Sequence, residues 1–251
     1  MKVVILTALG VGFATVFGSF IGFALKKISH KFNDIVLSFA AGIMLAAAVL
    51  GLIIPAVESV EGIGGLAVVV FGVLSGALFL SVMDRVVPHL HHLTGADTEK
   101  HEHIQNLNRV LLFVFAIGIH NLPEGIAAGV SFGTGNIADA ITVASGIALQ
   151  NIPEGMVIIA PMLNAGIKKR RAFVIALCTG LVEVVGTMIG YFVVNISVAI
   201  LPFALAFAGG TMLYVISDEM IPETHSHGFE KSATFSLLIG FCVMLVMDFL
   251  L

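Results

Sequence analysis

Charge is what this sequence has least of. Of 251 residues only 11% are Asp, Glu, Lys or Arg. A soluble domain carries about a quarter, so this chain lacks the polar surface that water requires and must face lipid. Hydrophobic residues make up 58%, and mean hydropathy is +1.07. Cysteine is almost missing: Cys178 and Cys242 fall inside apolar runs, which reads as two buried thiols and leaves the redox compartment open. Sustained alternation of apolar and polar residues is absent, so the spans are expected to be helices, which satisfy their own backbone groups in lipid. A secretory leader is not expected. Lys2 precedes Val3–Leu25, 23 uncharged residues, too long for a leader's apolar core of roughly 7–15, and no small-residue cleavage motif follows. The net charge of −4 carries little weight. A lipid bilayer is the expected partner and nucleic acid is not.

What remains is a series of apolar runs, each near the roughly 20 residues a bilayer crossing needs. They cover 3–25, 35–57, 63–83, 110–130, 137–163, 172–194, 196–216 and 233–250. The expectation is an all-α integral membrane protein: one polytopic domain of eight transmembrane helices, with an 84–109 loop between the third and fourth. The 27 glycines suit close helix contacts in lipid. Lys26, Lys27, Lys31, Arg85, Lys100, Arg109, Lys168, Lys169, Arg170, Arg171 and Lys231 all follow odd-numbered spans, and only Lys2 lies on the other side. By the positive-inside rule, both termini are expected outside the cytoplasm and the 84–109 loop inside, in a cell membrane.

A short motif occurs twice. His120-Asn121-Leu122-Pro123-Glu124-Gly125 returns 30 residues later as Gln150-Asn151-Ile152-Pro153-Glu154-Gly155. One span and a turn separate the copies, so the two helices run antiparallel and form an inverted pair, the arrangement that builds midplane sites in transporters. A weaker echo joins Gly42, Met44, Leu45 and Pro55 to Gly210, Met212, Leu213 and Pro222.

His120, Gln150 and Glu183 all fall near the centre of their runs. An intramembrane carboxylate costs about 2.5–3.5 kcal/mol on insertion scales, so Glu124, Glu154 and Glu183 together cost roughly 8–10 kcal/mol if the terms add. No Lys or Arg shares that depth, which leaves cations or protons to neutralise them. His120 and Glu124 are spaced i, i+4 on one helix face and Asn121 and Glu124 i, i+3 on a flanking one; Gln150, Asn151 and Glu154 repeat the pattern. Each glutamate can then bridge two ion positions, one shared with His120 and Gln150, the other with Asn121, Asn151 and Glu183. Imidazole, carboxylate and amide donors suit Zn²⁺, Fe²⁺ or Mn²⁺ better than a thiolate-seeking ion. Pro123 and Pro153 cannot donate to the carbonyls four residues back, so both helices are expected to kink there.

These paired motifs, with Glu183 in Leu-Val-Glu-Val-Val-Gly-Thr and eight spans, resemble the ZIP family of metal-ion transporters over nearly the whole chain. The resemblance implies uptake of divalent metal toward the cytosol through a two-metal site, with no prosthetic group. It makes His120, Glu124, Gln150 and Glu154 the first position, and Asn121, Asn151 and Glu183 with the same glutamates the second. Some relatives carry Asp where Asn151 stands, so the second position here is weaker. Zinc is the expected cargo, with Fe²⁺, Mn²⁺ and Cd²⁺ as alternatives, and both monomer and homodimer fit.

Outside the midplane, Asp84, Asp218, Glu219 and His225 are candidate exit-path ligands, against a reading as ordinary solvated helix ends. Glu58 is a candidate on the outer mouth. His89, His91, His92, His101 and His103 supply a His-containing loop that suits metal, with a plain solvated loop as the competing reading. Three rival functions stand beside transport. An intramembrane metalloenzyme calls for a motif such as H-E-x-x-H, which is absent. A proton-coupled carrier of another solute needs flux with metals chelated. A structural or receptor-like protein needs the acids only to hold helices together.

Overall fold

A backbone group left without a partner in hydrocarbon costs several kcal/mol, and the described residues meet that constraint almost entirely with helices. The computed structural model describes residues 1–25, 29–86, 120–164 and 166–250, and the helical segments found there are labelled in chain order. They are α1 (Lys2–Ala24), α2 (His30–Ala48, continued through Val49–Ile53 and Ile54–Glu58), α3 (Gly62–Val86) and α4 (120–131). Then come α5 (Ile137–Val157, continued by Ile159–Asn164), α6 (Lys169–Ile196), α7 (Leu201–Val215, continued through Ile216–Met220 and Ile221–Thr224) and α8 (Glu230–Leu250). Among the described residues, 7 helices are long and apolar enough to cross a membrane. The remaining segment, α4, covers the described half of the run expected at 110–130.

Local chemistry sets the ends. The Ser29 hydroxyl accepts the Phe32 N–H at 3.2 Å and starts α2; the Asn136 side-chain oxygen accepts the Ala138 N–H at 3.0 Å and starts α5, in each case filling an otherwise orphaned donor. The seventh helix corrects the expected boundary. It begins at Leu201 instead of 196, because α6 runs on to Ile196 and a short tight turn, Val198–Ile200, precedes Pro202 in the first turn of α7. Hydropathy cannot mark that break, since the turn is as apolar as the helices. Both α2 and α7 contain a five-residue stretch of wider π-type turn, Val49–Ile53 and Ile216–Met220, just ahead of Pro55 and Pro222.

Size is sorted in reverse of a soluble protein. Ala40, Ala41, Ala46, Ala47 and Ala48 are fully buried, whereas Phe13, Phe71, Leu74, Leu78 and Phe235 point outward. Lipid solvates large side chains as well as a core does, so small residues go where backbones must approach. The two cysteines follow the same logic. Cys178 and Cys242 are exposed, which corrects the reading of them as buried: an apolar run in a membrane helix has a lipid face as well as a packed one.

The close approaches repeat. In α1, Gly18 lies against the Ile152 carbonyl and Gly22 against the Met156 carbonyl of α5. In α6, Gly186 lies against the Leu122 carbonyl and Gly190 against the Ile126 carbonyl of α4. Position for position, α1 answers to α6 and α5 to α4. Helices α2 and α8 meet through Gly42 and the Leu237 carbonyl, α7 and α3 through Gly210 and the Val73 carbonyl. The internal repeat seen in six residues therefore extends to the contacts of all eight segments.

Candidate metal site between α1, α4, α5 and α6

Glu183 sits at the centre of α6 and is fully buried. Gly180 and Gly186 flank it, one against the Gly12 carbonyl of α1 and the other against α4, so these two helices close in beside its carboxylate. Three donors reach it. The Asn121 amide donates to Oε1 at 2.6 Å, the Asn151 amide to Oε2 at 2.7 Å, and the Thr15 hydroxyl to Oε1 at 2.6 Å. The two amides also lean on backbone oxygens in matching fashion: Asn121 on Thr179 O and Asn151 on Val11 O, each at 3.4 Å. Hydrogen bonds to a charged group contribute about 1.5–3 kcal/mol each, so this buried network ties four helices together. Sequence reasoning missed Thr15. The repeat was the available signal, since Thr15 stands where α1 answers to Glu183.

Beside this satisfied carboxylate lies an unsatisfied group of polar atoms. Both carboxylate oxygens of Glu124, Oε1 of Glu154, both amide atoms of Gln150 and the side-chain oxygens of Asn121 and Asn151 are buried with no hydrogen-bond partner among the described residues. Glu124 lies within electrostatic reach of Glu154 and Glu183, and the Gln150 side chain lies beside its carboxylate. Glu154 lies within reach of His120 and Glu219. A buried polar group left unpaired costs about 1–3 kcal/mol, more when charged, so a cluster of this size calls for something to fill it. Among the described residues, no three His, Cys, Asp or Glu side chains converge as a ready metal cluster.

The residues expected on the exit path are distributed differently. Glu219 comes to the repeated motif itself, with His120 Nε2 and Glu219 Oε1 2.9 Å apart; the wide turn Ile216–Met220 carries it. Asp218, next to it, is exposed. The His225 ring is engaged at both nitrogens, Nδ1 with Ile221 O at 2.9 Å and Nε2 with the Thr234 hydroxyl at 3.0 Å, which suits a latch between α7 and α8. Glu58 is exposed at the end of α2. Asp84 falls within α3. His89, His91, His92, His101 and His103 lie outside the described residues.

Residues 88–248 match the family described as ZIP zinc transporter. The chain belongs to that family. Zinc transporter GufA of Myxococcus xanthus is 45% identical over 202 residues, covering 78% of each chain. Zinc transporter ZIPB of Bordetella bronchiseptica is 38% identical over 240 residues, covering 94% of this chain and 77% of the relative. Zinc transporter ZupT of Chlorobium chlorochromatii is 32% identical over 248 residues, covering 94% and 92%. ZIP proteins are multi-pass membrane transporters and not enzymes, which removes the metalloenzyme reading. In this ZIP chain both copies of the motif fall within the matched region.

Proposed function

We propose that the chain carries a divalent transition-metal ion, zinc foremost, toward the cytosol through eight spans with both termini outside. The ion binds between α4, α5 and α6. His120, Glu124, Gln150 and Glu154 form the main position, and Asn121, Asn151 and Glu183 flank it as a second. One observation carries this reading. Glu124, Glu154 and Gln150 hold buried polar atoms without partners, and no Lys or Arg falls in that part of the motif-bearing helices. A dication neutralises both acids and takes up the Gln150 amide oxygen in one step.

The ion arrives dehydrated among hard oxygen donors and one imidazole, a set that holds zinc without thiolate-grade affinity. Moderate affinity favours release, and Glu219, 2.9 Å from His120, offers the next carboxylate along α7. Uptake of labelled zinc into liposomes by purified protein tests the assignment. His120→Ala and Glu154→Ala are each expected to abolish most of the flux; equal flux in wild type and both variants refutes it. Flux of an organic solute with metals chelated would favour the proton-coupled carrier instead.

A further inference from the structure

The start of α2 holds a second buried acid that the transport site does not use. Asp34 is fully buried. Its Oδ1 meets His227 Nδ1 at 3.0 Å, while its Oδ2 has no partner among the described residues. One turn further along α2, the Ser38 hydroxyl is buried and also without a partner. One turn back, His30 is exposed, and its ring stacks on that of His227 with centroids 4.7 Å apart. His227 itself comes from the α7–α8 connection. That connection is held over α2 by the Ser236 hydroxyl donating to Ile35 O at 2.6 Å and by Lys31 above the Phe229 ring at 5.9 Å.

We infer that His30, Asp34 and His227 form a separate transition-metal site at this end of the bundle. His30 and Asp34 are spaced i, i+4, which puts two donors on one helix face as a metal clamp requires. His227 brings the third donor from another element. Oδ2 of Asp34 and the Ser38 hydroxyl are the buried atoms that an incoming ion or its water takes up. In the present arrangement the rings lie face to face, and no three donors converge. Rotation of the exposed His30 side chain is the movement that closes the site. Two imidazoles and one carboxylate are the donor set of a zinc-type ion. They exclude a calcium- or magnesium-type site, which is built from oxygen ligands.

A role in receiving ions that leave the midplane rests on the proposed transport direction; the binding does not. Zinc stoichiometry of the full-length chelator-stripped protein in detergent, measured by equilibrium dialysis, tests the site. Asp34→Asn and His227→Gln are each expected to lose one equivalent of bound zinc that a Glu124→Gln/Glu154→Gln variant retains. Unchanged stoichiometry in both overturns the proposal. If Asp34→Asn does not fold, His30→Gln, at an exposed position, takes its place beside His227→Gln under the same criterion. Loss of vesicle flux with these zinc equivalents intact would bear on the midplane alone, so the two readings fail separately.

Discussion

The Thr15 hydroxyl and the Glu183 carboxylate, 2.6 Å apart, occupy corresponding places in the two halves of the repeat and meet each other across it. Thr15 is therefore a positioning residue: its hydroxyl fixes the Glu183 carboxylate, which the proposed function sets beside a second ion position. Thr15→Val keeps the shape and removes the donor. The expected result is a loss of stability on the order of 1.5–3 kcal/mol, read as a lower thermal midpoint in detergent. Apparent zinc affinity should weaken roughly 10-fold or more, as when an outer-sphere partner is lost. Unaltered affinity would reduce Thr15 to a packing residue.

Gly155 and Gly10 make a matched pair for testing helix approach. A methyl group at Gly155 runs into the Thr15 carbonyl, whereas at Gly10 it meets nothing within 4 Å. Gly155→Ala is expected to destabilise by about 1–3 kcal/mol, the range for overpacking. Gly10→Ala should be neutral or gain up to about 1 kcal/mol from helix propensity. Thermal unfolding of both in one detergent checks the opposite signs.

Asn151 now spends its amide on Glu183 Oε2 at 2.7 Å. Asn151→Asp removes that donor and sets a second carboxylate against the first. Without metal the variant should melt below wild type. With saturating zinc it should recover by more than wild type gains, because an ion that binds only the folded state stabilises by RT ln(1 + [L]/Kd). Equal zinc-induced shifts in the two proteins would show that this position does not bear on binding.

Much of the fold could be read from the chain because lipid imposes a single rule on length and polarity. The ends of α1, α3 and α8 fall within a few residues of the apolar runs. The start of α7 did not, since the residues that turn between α6 and α7 are themselves apolar. The motif copies were legible as a pair, but not the direction of their amides. Spacing puts Asn121 and Asn151 on the face of the acids without saying which end of each amide is used; here their NH₂ groups donate to Glu183 and their side-chain oxygens are left unpaired. Donor and acceptor ends of an amide look identical in a sequence. Glu219 was expected at a helix end; a π-type turn, which no residue pattern announces, brings it to His120. The Asp34–His227 contact joins positions 193 residues apart, beyond any local periodicity.

The matched glycine contacts give an ion nearly the same scaffold from either face of the bundle. Side chains break the match: His120 answers to Gln150, Glu183 to Thr15, and the stretch that carries Glu219 to the wholly apolar Val49–Ile53. Such lopsided chemistry on an even-handed frame cannot create a driving force, because net flow follows the gradient. Under the proposed transport reading, those unlike side chains are where an ion's approach from one leaflet would differ from its approach from the other.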